Sequence, residues 1–160
     1  MRWSDVMADA SLRDLPYKIE LNKWGQIVMS PASNIHAALQ GKVAAFLARV
    51  LPHGVVLTEC SLQTTEGVKV PDVAWCSPEF FAGHKKETPF PVAPEICVEI
   101  RSPSNSRAVM AEKIGLYLDA GAQEVWIVRE SGEIAYFTRS GEQPHSTFTR
   151  ERPDFSGIVS

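Results

Sequence analysis

The chain has 160 residues, 44% of them hydrophobic and 22% charged, with a formal net charge of −3. That is the length of one domain with enough apolar content for a substantial core, and the acidic balance argues against the basic face that tight, non-specific binding to long DNA requires. Cys60, Cys76 and Cys97 are too few and too widely separated for a zinc signature or a disulfide framework, and no apolar run reaches membrane-spanning length, so the sequence reads as a cytoplasmic protein.

Residues 1–14 are mixed and polar and predict a short helix or loose arm. Tyr17, Ile19 and Leu21 then alternate with Lys18, Glu20 and Asn22, the period of a half-buried strand. Asn22-Lys-Trp-Gly25 has turn chemistry, so residues 17–30 form an N-terminal hairpin, which Pro31 ends. Ser33 or Asn34 caps a helix running to about Leu51, with Ile35, Leu39, Val43, Phe46, Leu47 and Val50 on one face. His36 flanks that face and reads first as a partly buried structural residue.

Val55 to Gln63 and Lys69 to Cys76 predict two core strands around a tight turn at Thr65-Glu-Gly67. Pairing about that turn puts Glu59 and Ser61 on the face of Asp72. Residues 77–94 read as a surface loop with one helical turn. In the next strand, Glu95 to Arg101, Ile96, Val98 and Ile100 point one way and Cys97, Glu99 and Arg101 the other. A helix over 106–120 stops at Gly121, strands follow at 124–129 and 134–138, and the remainder predicts a weak edge strand and a loosely ordered end. Trp24, Trp75 and Trp126 are read as core or sheet-face packing.

The core order is helix, strand, strand, strand, helix, strand, which predicts an α/β fold with a central mixed sheet in one domain spanning 1–160, its core at about 33–138. The helix at 33–51 is expected on one face, with that at 106–120 beside it. Helices on both faces would account for the nearly continuous apolar character of the third and fourth strands.

Asp72 and Glu99 are acidic residues inside runs that otherwise read as buried strands, which is rare unless the carboxylates are paired or bind a cation. On adjacent strands they would converge, and a hard divalent cation such as Mg²⁺ would remove their repulsion. Two basic residues can add positive charge near a phosphate: Arg101, on the strand face of Glu99, and Lys113, whose helical direction falls among Val109, Leu116 and Tyr117. Glu59 is a weaker third carboxylate.

At these residues the chain resembles a known group. Pro71-Asp72 followed by Glu99-Ile100-Arg101 resembles the PD-(D/E)XK signature of restriction-endonuclease-like proteins. The match is closest to the Uma2 family, in Gly25-Gln-Ile-Val-Met-Ser-Pro31 with His36 after it, in Val70-Pro-Asp-Val-Ala74, and in Val98-Glu-Ile-Arg-Ser-Pro-Ser104 followed by Glu112-Lys113, Leu116-Tyr117, Ala120-Gly121 and Glu124-Val-Trp-Ile127. The resemblance implies a restriction-endonuclease-like αβββαβ core and a Mg²⁺-dependent phosphodiesterase, with Mn²⁺ able to substitute. It implies Asp72, Glu99 and the backbone carbonyl of Ile100 as metal ligands. Arg101 stands where a lysine is usual and cannot act as a general base. In Uma2-like sequences the lysine has moved to the helix, where Lys113 stands.

The expected activity is endonucleolytic hydrolysis of nucleic acid, with DNA as the first expected partner. Cutting both strands of a duplex would suit a homodimer. The competing reading is a nuclease-fold module that has lost efficient chemistry and binds nucleic acid or a protein; Arg101 and the acidic balance lend it weight.

Overall fold

Ile96, Val98 and Ile100 leave one side of a single strand, Cys97 and Glu99 leave the other, and the two sides carry different helices. The computed structural model describes residues 1–158. Its helices are α1 (Trp3–Ala8), α2 (Asn34–Val50), α3 (Pro78–His84) and α4 (Arg107–Asp119). Its strands are β1 (Tyr17–Leu21), β2 (Ile27–Pro31), β3 (Val55–Thr58), β4 (Leu62–Thr64), β5 (Gly67–Lys69), β6 (Val73–Cys76), β7 (Ile96–Arg101), β8 (Glu124–Arg129), β9 (Ile134–Thr138) and β10 (Gly141–Gln143).

Six strands form the central mixed sheet in the order β10-β9-β8-β7-β6-β3. Only β7 and β8 run parallel within it, joined by the crossover through α4, and the other neighbours are antiparallel. On one face Leu39, Val43, Phe46 and Leu47 of α2 pack against Val73, Trp75, Ile96, Val98, Ile100 and Trp126. On the other, Met110, Tyr117 and Leu118 of α4 pack against Cys97, Val125 and Ile127. The helices therefore lie on opposite faces rather than side by side, because β7 and β8 are apolar on both sides and each side needs a cover. Burying a side chain such as Leu39 or Leu47 contributes about 1.5–3 kcal/mol.

Local chemistry sets the helix starts. The Ser33 hydroxyl accepts the His36 N–H at 3.1 Å, and the Ser106 hydroxyl accepts that of Val109 at 3.1 Å. Ile35, in the first turn of α2, and Val109, in that of α4, fall outside the buried stripes and are exposed.

The two strands expected over 55–63 and 69–76 keep one register, from Val55↔Cys76 to Thr64↔Gly67, but not one continuous ladder. Glu59 adopts φ +56° and Pro71 interrupts the returning strand, so β4 and β5 split off as a separate ribbon. That ribbon packs with the β1–β2 hairpin and α1 around Val6, Leu21 and Val68. Gly67, at φ +95°, lies so close to β1 that a Cβ would sit 2.3 Å from the Leu21 carbonyl oxygen.

Trp24 is 72% exposed at the hairpin tip, where Asn22 Oδ1 holds the turn by accepting from Trp24 N and Gln26 N; it is not a core residue. The C-terminal segment is also more than a loose end. Phe155 is buried and meets Phe46 edge-on at 6.2 Å, and Ser146 and Thr147 donate to the buried Glu124 carboxylate. Residues 159 and 160 of the expected loose end lie outside the described residues.

Candidate active site

The β6–β7 pairing runs from Trp75↔Ile96 to Val73↔Val98, and one further step in that register brings Asp72 opposite Glu99. Pro71 has no N–H to give the ladder, and beside it the Asp72 side chain pairs with the strand instead: its Oδ2 accepts the Ile100 N–H at 2.7 Å. The Asp72 carboxylate is thus fixed beside Glu99, and both are almost wholly buried on the α4 side of the sheet.

Two lysines join them from different elements. Lys113 and Tyr117 are one turn apart on α4, so they share the face turned to the sheet. Lys113 Nζ lies 3.1 Å from Glu99 Oε1 and 3.1 Å from Glu20 Oε1, and the Tyr117 hydroxyl donates to the same Glu99 oxygen. Lys18 comes from β1, outside the central sheet. Its Nζ sits between the two strand carboxylates, 3.0 Å from Asp72 Oδ1 and 3.3 Å from Glu99 Oε2. His36 Nε2, in the first turn of α2, lies 3.2 Å from Asp72 Oδ1, and Glu20 Oε1 also accepts the Val70 N–H at 2.8 Å.

Burial and charge oppose each other at every group. Burial pushes Asp72 up, but the His36 hydrogen bond, the Lys18 charge and the Ile100 N–H together hold it well below the usual carboxylate range. Burial raises Glu99 and outweighs the opposing charges of Lys18 and Lys113, with Asp72 and Glu20 adding a smaller push in the same direction. Burial also disfavours the Lys18 ammonium, yet Glu99, Asp72 and Glu20 more than compensate and raise its pKa. His36 is raised by its hydrogen bond to Asp72.

The cluster forms the floor of a cleft of about 860 Å³. Tyr17, Met29, Ile35, Glu59, Ile100 and Met110 contribute to its walls. Glu59 is exposed there, turned out of the ladder by its positive φ while its N–H donates to the Asp72 carbonyl at 3.2 Å. Arg101 is not in the cleft lining; its Nε reaches the Asn105 carbonyl at 3.4 Å and braces the 102–105 turn.

Of the residues singled out in the sequence, Lys113 contacts Glu99, Asp72 and Glu99 are bridged by Lys18, Ile100 and Glu59 border the same cleft, and Arg101 turns aside. Lys18 and Glu20 were not foreseen. The alternation of β1 is real, but its charged side faces the cluster instead of water, while Ile19 and Leu21 join the small core with α1. An opposite-charge pair two residues apart, bracketed by apolar residues, is the same local signal that Glu99 and Arg101 give.

Residues 10–156 match the model of the Uma2 family, described as "Putative restriction endonuclease". The chain belongs to the Uma2 family. A solved structure of a "putative nuclease belonging to DUF820" from Anabaena variabilis ATCC 29413 is similar to this Uma2 chain with a TM-score of 0.66 and 18% identity, over 88% of this chain and 89% of the other. That likeness shows the fold. No curated protein matches the chain at a significant level.

For the divalent cation that the nuclease fold implies, the donor chemistry fits. Asp72 Oδ1 and Glu99 Oε2 already share one cation, the Lys18 ammonium, and Mg²⁺ favours one or two carboxylates completed by water and phosphate oxygens. Among the described residues no group of three or more His, Cys, Asp or Glu side chains is arranged to hold a metal. No helix of the described residues is long and apolar enough to cross a membrane.

Proposed function

We propose that this Uma2 chain is a Mg²⁺-dependent endonuclease that hydrolyses phosphodiester bonds of nucleic acid, DNA foremost, with Mn²⁺ able to substitute. The observation that carries the reading is the shared contact of Asp72 Oδ1 and Glu99 Oε2 with one positive charge at 3.0 and 3.3 Å. Asp72, Glu99 and the Ile100 carbonyl would hold the metal, and Glu59 stands at the cleft wall as a further carboxylate. A bound divalent cation supplies charge neutralisation on the phosphate and an acidified water.

The protein's own groups do the rest. Glu20 and Glu99 grip the Lys113 ammonium from two sides, so it is already oriented when a phosphate arrives. From there it can orient the attacking water and offset the charge that builds on the phosphorane oxygens. The water oxygen bonds to phosphorus as the water's proton passes to solvent, and the bond from phosphorus to the ester oxygen breaks, the leaving oxygen taking a proton from solvent. Tyr117 and the Ile100 N–H hold the two carboxylates in place. Arg101 acts on the 102–105 turn rather than on the reacting atoms.

The same reading treats residues 1–160 as one nuclease-like domain, cytoplasmic, acting as a homodimer where both strands of a duplex are cut. A second reading has one observation in its favour: with Lys18 seated between Asp72 and Glu99 the cluster is already satisfied without metal, as in a binding module that has lost its chemistry. Calorimetric titration of Mn²⁺ tests the pair. The nuclease reading expects binding that Asp72→Asn largely abolishes, together with cleavage in a Mn²⁺-supplemented screen of duplex, branched and single-stranded DNA and RNA. Unchanged Mn²⁺ binding in Asp72→Asn would move the metal elsewhere, and binding without cleavage of any substrate would favour the module.

A further inference from the structure

We infer that Lys18 is an internal cation that occupies the metal position between Asp72 and Glu99 and must leave it before a divalent ion can bind. This rests on the nuclease reading above and deepens it, since it assigns the residue that sets the metal affinity of the site.

Position is the first argument. The Lys18 ammonium contacts one oxygen from each strand carboxylate, Asp72 Oδ1 at 3.0 Å and Glu99 Oε2 at 3.3 Å. The remaining oxygens are already committed: Asp72 Oδ2 to the Ile100 N–H, and Glu99 Oε1 to Lys113 and Tyr117. The two oxygens that converge on a common point are therefore the two that Lys18 holds. A hard dication needs them, and a lysine ammonium and a dication cannot share them, because two positive charges a few ångströms apart in a buried site repel strongly.

Charge is the second argument. Asp72, Glu99 and Glu20 carry three negative charges, and Lys18 and Lys113 return two, with His36 at the edge against Asp72 Oδ1. With Lys18 in place the cluster is close to neutral, which is how three carboxylates can be buried together at all. Adding a dication without expelling Lys18 would leave an excess of buried positive charge.

Origin is the third. Lys113 is anchored by both Glu20 and Glu99 on a helix packed against the sheet, whereas Lys18 comes from the two-stranded β1–β2 sheet. Lys18 also lines the open cleft, so its long flexible stem can swing the ammonium out into the cleft without moving the sheet. There it faces the space a phosphate would fill.

The test compares Mn²⁺ binding by calorimetry in wild type, Lys18→Met and Asp72→Asn, each first stripped with chelator. Lys18→Met is expected to bind Mn²⁺ about tenfold more tightly or better (about 1.4 kcal/mol) and to be less stable than wild type without metal, with a larger rise in Tm on adding Mn²⁺. Equal or weaker Mn²⁺ binding in Lys18→Met, with Asp72→Asn still abolishing it, overturns the role of Lys18 and leaves the nuclease reading standing. Mn²⁺ binding that survives Asp72→Asn overturns both. Should Lys18→Met not fold, Lys18→Gln removes the charge and keeps a donor for Asp72. In the wild type, Mg²⁺ titration of ¹³Cε-labelled lysine should move the Lys18 resonance towards that of a solvated lysine; a resonance that stays put overturns the proposal.

Discussion

Tyr117 donates its hydroxyl to Glu99 Oε1 where both side chains are buried, two strand positions from the end of β7. A hydrogen bond to a charged group is worth about 1.5–3 kcal/mol, and burial holds the Tyr117 phenol well above its usual pKa, so it stays a donor. Tyr117→Phe keeps the ring packing and removes only the hydroxyl. Urea denaturation should show a loss of about 1.5–3 kcal/mol with unchanged slope. A loss below about 0.5 kcal/mol would mean that Lys113 alone satisfies the oxygen.

Glu20 serves two partners with one oxygen, the Val70 N–H at 2.8 Å and Lys113 at 3.1 Å. Glu20→Ala leaves a buried N–H and half-releases a lysine, and should cost about 2–4 kcal/mol in thermal or urea unfolding. Glu20→Gln keeps an acceptor for Val70 and should recover a good part of that stability.

Lys113 and Arg101 separate by position. Lys113 touches Glu99 at the cleft floor, and the Arg101 Nε donates to the Asn105 carbonyl in the 102–105 turn. Once a substrate is cleaved, Lys113→Ala should lower kcat by about 10²–10³ while still binding Mn²⁺. Arg101→Ala should change kcat by less than about tenfold, well short of the loss of a positioned charge stabiliser. Equal losses in the two variants would place Arg101 at the chemistry.

Gly67 couples the β4–β5 ribbon to the strand that carries Lys18. Gly67→Ala combines a left-handed backbone with a Cβ at 2.3 Å from the Leu21 carbonyl oxygen, so the ribbon or β1 must move. We expect a destabilisation of about 2 kcal/mol or more, with faster amide exchange in β1 than in β7. Uniform exchange across both strands would show that the hairpin does not move independently.

Glu124 tests the opposite side of the sheet. Its carboxylate accepts from Trp126 Nε1, the Ser146 hydroxyl and both donors of Thr147. Glu124→Ala strands these groups and should destabilise by about 3 kcal/mol or more, loosening the tail that ends on Phe155. Mn²⁺ binding at a temperature where the variant is folded should match wild type, because Glu124 is remote from the cluster along β8.

The fold was largely legible because it follows from local pattern. Period-two alternation in β7, the apolar spacing of α2, the Ser33 and Ser106 caps and the stop at Gly121 are properties of neighbours in sequence. Asp72 and Glu99 stood out for the same reason, as charges inside apolar runs, and the resemblance to Uma2 rested on those same short stretches. The sequence by itself determined the sheet, the helices and the pair of carboxylates at one strand end. Tertiary structure alone decided what faces that pair. Alternation says that Lys18 and Glu20 share a side of β1, but not which side is wet, because that depends on a hairpin docking across the chain from residues 72 and 99. The same limit hid the exposure of Trp24 and the burial of Phe155. Charge balance in a buried cluster is a sum over elements distant in sequence, and only the fold sets its terms.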